Sequence, residues 1–307
     1  MSSPTALEQL SHDLTHAVQH ASTAIVAIHA RKRIPATGIV WTDSLVVATD
    51  HTIRRDSGIT ITLSDGSTRE ATLVGRDSGT DLAVLRVAGG GLTPIARAPR
   101  EALHVGQIAL ALGRPGRDVT ASMGVVSALG PEWRTWRGGR IDRFVRIDVA
   151  IYDGFSGGPS LDASGRLLGI NSSALARAAA VTIPVATIER VVDALAAGTS
   201  PSRRGWLGIA AQGVKLPEST RTRHTLAHEG GLLVINVSAD SPAERGGMML
   251  GDVIIAVAGT PTHDPRDILD VLANDTVGKT LTVRLVRGGE LVELPVTIGE
   301  APAASRK

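Results

Sequence analysis

The stretch RIDVAIYDGFSGGPSLDASGRLLGIN, residues 146–171, holds two β-rich runs on either side of the glycine-rich segment GFSGGP at 154–159. A serine set between glycines leaves the backbone free to turn sharply, because glycine adopts conformations that other residues avoid. Such a turn aims neighbouring amide N–H groups at one point. A serine that attacks a carbonyl needs those donors for the developing oxyanion, a base for its proton, and a group that orients the base. The rest of the chain is therefore expected to supply a histidine and a carboxylate.

Two residues earlier in the chain fit those roles. His51 follows the β-rich run SLVVAT, and Asp81 opens the run DLAVLRV. The order His, Asp, Ser is that of chymotrypsin-fold proteases, whereas subtilisin and the α/β-hydrolases order theirs differently. Taken singly, each piece has a plainer explanation: GFSGGP as an ordinary turn, His51 as a capping residue and Asp81 as an Asx turn at a strand end. Taken together at strand edges of one domain, the three favour a catalytic site.

The surrounding sequence divides into three parts. Residues 5–22 carry Leu7, Leu10, Leu14, Ala17 and Ala21 at helical spacing, which predicts an amphipathic helix. From Thr23 to about Ala128, short β-rich runs alternate with turns and without βαβ units, so an antiparallel barrel or sandwich is predicted. A helix is predicted within 183–198, a linker follows, and about 95 further residues read as a compact α+β domain.

Composition excludes several classes of function. Lysine plus arginine exceed aspartate plus glutamate by 32 − 30 = +2, and the seven aromatic residues offer few stacking surfaces, so nucleic acid is not an expected partner. The absence of cysteine excludes disulfides, thiol nucleophiles and cysteine-ligated metals. His12, His16 and His20 recur every four residues, but no second ligand motif accompanies them, so a solvated stripe is expected instead of a metal site. No metal or other cofactor is predicted.

Several longer strings resemble the HtrA (Deg) family of serine proteases over roughly residues 24–300. They are ATDHTI at 48–53, LSDGSTREATLVGRDSGTDLAVLRV at 63–87, LHVGQIALALGRPG at 103–116, ASMGVVSALG at 121–130, and the stretch 146–171. The resemblance implies a mainly β fold: a chymotrypsin-like double β-barrel followed by a smaller α+β PDZ domain. The expected segments are a helix at 1–23, the protease domain at 24–198, a linker at 199–205, the PDZ domain at 206–300 and a flexible tail at 301–307.

The same resemblance implies roles for individual residues. Ser156 would be the nucleophile, His51 the general base and then acid, and Asp81 the residue that fixes the imidazole tautomer. The amides of Gly154 and Ser156 would form the oxyanion hole. Ile151 and Ser173 would line the specificity pocket, and Ala150 leaves no acid at its base, so small or medium aliphatic side chains are the expected choice.

In the second domain, RGWLGI at 204–209 resembles the carboxylate-binding loop of PDZ domains. Peptide C-termini would add a strand beside Ile209, with the terminal carboxylate held by the amides of Leu207, Gly208 and Ile209. Ile268 and Leu272 would cover the terminal side chain. A plainer alternative makes WLGI simply the start of a strand.

The expected activity is cleavage of unfolded or C-terminally recognised proteins in protein quality control and the stress response. The alternative is a chaperone or PDZ scaffold with an unformed oxyanion hole.

Phe155 and Asp50 stand where the family usually has asparagine: Phe155 is expected to narrow the cleft and Asp50 to act on His51. The resemblance implies a homotrimer held together by N-terminal aromatic residues. Because no aromatic residue precedes Trp41 here, the resemblance gives little support for a trimer. No signal peptide or membrane span is apparent, so a cytoplasmic location is expected, with a periplasmic one as the alternative for a truncated N-terminus.

Overall fold

The computed structural model of the protein describes residues 5–31, 34–99, 103–135, 137–175, 181–199, 205–272 and 276–300. The chain divides into two compact units, Met1–Pro201 and Ser202–Lys307. Residues 200–204 of the predicted linker and the whole predicted tail at 301–307 lie outside the described residues.

The first unit begins with helix α1 (Ala6–Ser22). Thr5 and Glu8 form a capping box at its start: the Glu8 amide donates to Thr5 Oγ1 (3.3 Å), and the Thr5 amide donates to Glu8 Oε2 (2.7 Å). Ala17 and Ala21 are buried in the core of the unit, whereas Leu7 is 78% exposed. The apolar stripe predicted for this helix is therefore buried only along its C-terminal half.

Six antiparallel strands then close into a barrel in the order β1-β2-β3-β6-β5-β4. Its strands are β1 (Ile25–His29), β2 (Ala36–Val40), β3 (Leu45–Thr49), β4 (Ile59–Thr62), β5 (Thr68–Asp77) and β6 (Leu82–Val87). Strands β2 and β3 are buried along their whole length, so their isoleucine, valine and alanine side chains fill the barrel and pack around it. A single 3₁₀ turn, Asp50–Thr52, follows β3 and carries His51 to the rim of the barrel.

A second six-stranded antiparallel sheet has the order β11-β8-β7-β12-β13-β14. Its elements, with a small hairpin between β8 and β11 and a closing helix, are β7 (Ile108–Gly113), β8 (Thr120–Gly130), β9 (Trp133–Arg134), β10 (Arg140–Ile141), β11 (Phe144–Asp148), β12 (Pro159–Leu161), β13 (Leu167–Ser172), β14 (Val181–Pro184) and α2 (Val185–Ala196). The serine segment lies between β11 and β12. These two sheets confirm the predicted mainly β class.

The second unit is a smaller α+β domain around a sheet of order β16-β17-β18-β20-β21, with β19 paired to β18 and β15 paired to β22. Its elements are β15 (Gly205–Trp206), β16 (Ile209–Lys215), α3 (Glu218–His224), β17 (Gly230–Val237), α4 (Pro242–Arg245), β18 (Val253–Val257), β19 (Thr260–Pro261), α5 (Pro265–Leu272), β20 (Thr280–Arg287), β21 (Glu290–Thr297) and β22 (Gly299–Glu300). Strand β16 stands at the edge of the sheet, and helix α5 lies against it.

Within the parts of the chain that the structure describes, no helix combines the length and the apolar character needed to cross a membrane.

Candidate active site and peptide-binding loop

Residues 152–158, the serine loop, form two consecutive turns. The Phe155 amide donates to the Tyr152 carbonyl (3.0 Å), and the Gly158 amide donates to the Phe155 carbonyl (2.9 Å). The third residue of each turn is a glycine with positive φ, +93° at Gly154 and +90° at Gly157. A positive φ at that position is the requirement of a type II turn, which explains why glycines flank the serine.

The amides of Gly154 and Ser156 are the donors that the sequence predicts for an oxyanion hole. Neither amide has an acceptor among the described residues. Both belong to the loop that lines a cavity of about 140 Å³, together with the side chains of His51, Ile151 and Ser173. Two unpaired amides at the wall of an open cavity are suited to receive an oxygen of a bound molecule.

His51 and Asp81 are in direct contact. The two oxygens of the Asp81 carboxylate lie 3.0 and 2.8 Å from His51 Nδ1, and the His51 amide also donates to Oδ1 (2.9 Å). Asp81 is fully buried, whereas the His51 side chain is 22% exposed. Because an ionised carboxylate only accepts hydrogen bonds, Nδ1 carries the hydrogen, which leaves the Nε2 lone pair free to accept a proton.

The backbone of Asp81 adopts a conformation that is rare for a residue with a side chain, with φ +59°. The preceding turn holds it there. The Gly79 amide donates to Asp77 Oδ1 (3.1 Å) and the Thr80 hydroxyl donates to Asp77 Oδ2 (2.8 Å). Thr135, between β9 and β10, donates its hydroxyl to the Gly79 carbonyl (2.7 Å). Such strain persists only where the surrounding contacts overdetermine it.

Ser172, at the end of β13, was not among the predicted site residues. Its hydroxyl donates to Asp81 Oδ2 (2.6 Å) across 91 positions of sequence, and the side chain is fully buried. This hydrogen bond therefore links the second sheet, which carries the serine loop, to the carboxylate that orients His51. The only signal in the sequence was its place next to Ser173 in the run RLLGINSS.

Ser156 lies in the same cavity as His51, but its hydroxyl is hydrogen-bonded to Ser173 Oγ (3.0 Å). Within the described residues this is the one side-chain partner of Ser156, and His51 is not hydrogen-bonded to it. The structure thus pairs His51 with Asp81 and brings both into reach of the Ser156 cavity, while the serine hydroxyl points elsewhere. Ile151 and Ser173, predicted for the specificity pocket, both line this cavity.

One of the two expectations about unusual residues was wrong. Phe155 does not narrow the cleft: its side chain is fully buried in the core of the second sheet, in edge-to-face contact with Tyr152. Asp50 accepts hydrogen bonds from Arg76 (2.8 Å) and Ser78 (2.7 Å), and its action on His51 stays a prediction. Sequence position alone placed the Phe155 side chain in the cleft, and packing directed it into the core instead.

In the second unit, residues 206–209, the Gly208 loop, precede the edge strand β16. The amides of Leu207 and Gly208 have no acceptor among the described residues, and Ile209 pairs with Val237 in the sheet. Gly208 has φ +82°, and a Cβ there would overlap the Ser241 side chain. Only glycine fits this position, which leaves two amides unpaired at the start of an open strand edge.

Ile268 and Leu272, predicted to cover a bound terminal side chain, face inward from α5. They are 6% and 5% exposed and belong to the core that also includes Leu207, with Ile209 packed against it. Leu269, which was not predicted, is 50% exposed on the same helix. Helix α5, which lies against β16, therefore has two buried apolar side chains and one exposed leucine.

Two family profiles match the chain. Residues 36–170 match the trypsin-like peptidase domain, and residues 205–298 match the PDZ domain. Together they cover both units of the fold.

Curated relatives agree with this division. The chain is 34% identical over 287 residues to the probable periplasmic serine endoprotease DegP-like of Rhizobium meliloti (strain 1021), which covers 90% of this chain and 55% of that protein. A protein of the same name from Ectopseudomonas mendocina (strain ymp) is 35% identical over 272 residues, or 86% of this chain and 56% of the relative. The chain thus spans about half the length of the curated relatives it matches.

Solved structures of similar length have the same architecture. The serine endoprotease from Yersinia pestis superposes with a TM-score of 0.69 at 28% identity, covering 98% of this chain and all of that one (100%). The HtrA-type protease AlgW with decapeptide gives a TM-score of 0.67 at 25% identity, covering 94% and 99% of the two chains. These findings confirm the chymotrypsin-like double barrel followed by one PDZ domain, and the chain belongs to the HtrA (Deg) family of serine proteases.

Proposed function

We propose that this chain is a serine endopeptidase that cleaves proteins through an acyl-enzyme formed on Ser156. The observation that carries the proposal is the shared cavity, which brings Ser156 and two unpaired amides next to an imidazole oriented by a buried carboxylate. Family membership supports it, since the relatives are named endoproteases.

The proposed reaction starts when the Ser156 hydroxyl rotates from Ser173 towards His51. Nε2 takes the hydroxyl proton while Oγ attacks the carbonyl carbon of the scissile peptide bond. His51 then donates that proton to the leaving amine, and the acyl group stays on Oγ as an ester. A water molecule, deprotonated by His51 in the same way, hydrolyses the ester and restores Ser156.

Two sets of residues support this chemistry. The amides of Gly154 and Ser156 would stabilise the negative oxygen of each tetrahedral intermediate, and one such donor is typically worth about 2.7 to 4 kcal/mol. Asp81 would stabilise the imidazolium and keep the hydrogen on Nδ1, with Ser172 holding the carboxylate in place. Removing the nucleophile typically lowers the rate on the order of 10⁴-fold or more.

The substrate class follows from the walls of the cavity and from the second unit. Ile151 and Ser173 would form the primary pocket, and with Ala150 in place of an acid we expect cleavage after small or medium aliphatic residues. The amides of Leu207 and Gly208 would bind the carboxylate of a peptide C-terminus that adds a strand to β16 beside Ile209, above Ile268 and Leu272. Unfolded proteins with exposed chain ends, the substrates of protein quality control under stress, match both features.

We also propose a cellular compartment and an assembly state. The curated relatives are named periplasmic, and we propose a periplasmic location for this chain instead of the cytoplasmic one expected from its sequence; cell fractionation tests it. Support for a homotrimer comes from the family resemblance alone, and light scattering on the purified chain tests it.

The experiment that tests the function combines labelling with cleavage. A fluorophosphonate probe is expected to attach to Ser156, as read by peptide mass mapping, and the purified chain is expected to cleave casein. Ser156→Ala should abolish both, with a loss on the order of 10⁴-fold or more. Ser164→Ala, an exposed serine in the turn between β12 and β13, is the matched control and should change neither.

A chain that neither labels nor cleaves, yet binds peptides with a free C-terminus, would overturn the proposal in favour of a non-proteolytic scaffold. Labelling at another residue would overturn the assignment of Ser156.

A further inference from the structure

Thr37 connects the first barrel to the serine loop. It lies on β2, is fully buried, and donates its hydroxyl to the Gly154 carbonyl (2.5 Å). The same oxygen accepts a hydrogen bond from the Arg114 amide (2.7 Å), just after β7. A hydroxyl has one hydrogen to donate, so both contacts together fix its direction.

The bond from Thr37 restrains the peptide between Gly154 and Phe155. The carbonyl of this peptide is held by Thr37, and its amide N–H donates to the Tyr152 carbonyl (3.0 Å). This peptide plane lies between the two planes that carry the unpaired amides, those of Gly154 and Ser156. Rotation about a single backbone bond on either side of the middle plane would turn one donor relative to the other, because the three planes are linked through the Cα atoms of Gly154 and Phe155.

Close packing of the glycines on either side of Ser156 also holds the serine loop in place. A Cβ at Gly157 would overlap the Thr37 carbonyl, and one at Gly154 would lie 2.7 Å from Pro115 Cβ. The loop therefore rests on the Thr37 backbone while it is hydrogen-bonded to the Thr37 side chain. In this arrangement an alternative peptide orientation would leave the buried Thr37 hydroxyl without its acceptor, which is unfavourable.

We propose that Thr37 is a positioning residue that keeps the Gly154 and Ser156 amides aimed at the oxyanion. The inference rests on the proposed function, because it assigns a part in the same reaction. Thr37 does not touch the reacting atoms; it acts through the Gly154–Phe155 peptide. The first barrel thus supplies, besides the base, the contact that orders the oxyanion donors of the second sheet.

The test replaces Thr37 by valine, which keeps the shape and removes the hydroxyl. Thr37→Val is expected to lower kcat about 10- to 100-fold with little change in KM, because the Gly154 carbonyl and the Arg114 amide both lose their partner. Affinity for a tripeptide boronic acid, which places an oxygen among the oxyanion donors, should fall by a similar factor. Thr37→Ser restores the hydroxyl and should stay within about threefold of the natural chain.

Thr187→Val is the matched control. Thr187 is also fully buried, accepts a hydrogen bond from the Asp142 amide (2.9 Å) and donates to Asp142 Oδ2 (2.8 Å). The same chemical change there should lower the melting temperature by a similar amount without the loss of kcat or of boronic acid affinity. If Thr37→Val does not fold, Thr37→Cys replaces it and should fall between serine and valine, because a thiol is a weak donor.

Two results would overturn the proposal. One is an equal loss of kcat in Thr37→Val and Thr187→Val, which would make the effect one of general stability. The other is a crystal structure of Thr37→Val in which the Gly154–Phe155 peptide keeps its orientation. That second measurement does not need activity, so it decides the matter even if the natural chain fails the fluorophosphonate and casein assays and the proposed function is lost.

Discussion

The serine loop and the Gly208 loop both carry backbone amides suited to bind a negatively charged oxygen, but their surroundings differ. Each has a glycine with positive φ and presents two amides without acceptors among the described residues. The serine loop is fixed by two buried side chains. Phe155 packs in the core of the second sheet, and Thr37 donates its hydroxyl to the Gly154 carbonyl. The Gly208 loop runs into the free edge of β16.

The difference matches the lifetime of the charge that each loop would receive. A transition-state oxyanion exists only within the site, so its donors must be held in place in advance. A peptide carboxylate is present before binding and arrives with a chain that needs an open edge to pair with. Rigid enclosure suits the first loop and accessibility suits the second.

The largest expected effect comes from exchanging each glycine for alanine. Gly154→Ala should lower casein cleavage about 10²- to 10³-fold, the loss typical of one oxyanion donor, while binding of a peptide with a free C-terminus persists. Gly208→Ala should weaken that peptide binding at least tenfold, because its Cβ would overlap Ser241. Fluorophosphonate labelling of Ser156 should persist in Gly208→Ala.

Two controls separate these effects from backbone strain. Gly106 and Gly259 have φ of +89° and +78°, and a Cβ at either position would meet open space, so alanine there adds the strain without the overlap. Both variants should retain cleavage and binding. An amidated peptide should bind the natural chain as weakly as Gly208→Ala binds the free acid; equal binding of the two peptides would refute the carboxylate role.

A smaller effect is expected from Ser173→Ala, which tests whether the hydrogen bond to Ser173 keeps the Ser156 hydroxyl away from His51. The Ser156 hydroxyl is held by Ser173 (3.0 Å) instead of by His51. Removing that bond, worth about 0.5 to 1.5 kcal/mol, should raise the rate of fluorophosphonate labelling about two- to tenfold. A slower rate would show that Ser173 assists the nucleophile, contrary to the proposed resting state.

The smallest effect concerns acid stability in the unit that carries the Gly208 loop. Burial alone would raise the pKa of the Asp252 carboxyl, but hydrogen bonds from Arg287 and the Met249 amide and the Arg287 charge outweigh it and lower the pKa. A lowered folded-state pKa gives stability that is present above the ordinary carboxyl pKa, about 3.9, and lost as pH falls through the folded value.

Asp252→Asn should therefore reduce the free energy of opening of β18 and β20 by about 1 to 3 kcal/mol at pH 7 and by less below pH 4. Amide hydrogen exchange of the full chain measures it strand by strand. Asp240→Asn, an exposed carboxylate in the same unit, is the control. A difference between Asp252→Asn and the natural chain that does not shrink in acid would contradict the assigned ion pair.

Much of this architecture could be predicted because it depends on local pattern. Alternating β-rich runs predicted the antiparallel strands of the first unit, and helical spacing predicted α1. The His51, Asp81 and Ser156 assignments also came from local features, since each residue lies at a strand edge next to turn residues. Short-range spacing carries that information.

The remaining site residues depend on contacts between distant segments. Ser172 meets Asp81 across 91 positions, and Thr37 meets Gly154 across 117. A lone serine or threonine inside a β-rich run has no local sign of such a partner. Phe155 was misjudged for the same reason, because the side chain next to a site residue points wherever the core of the domain directs it.

The burial of Phe155 has a consequence for control of the enzyme. Because this ring is part of the hydrophobic interior, melting the adjoining turn would expose an aromatic side chain to water, at a cost of roughly 1.5 to 3 kcal/mol before any compensating contact. An effector that works by disordering this loop must supply that energy. Under the proposed function, an effector that blocks entry to the cleft does not have to supply that energy.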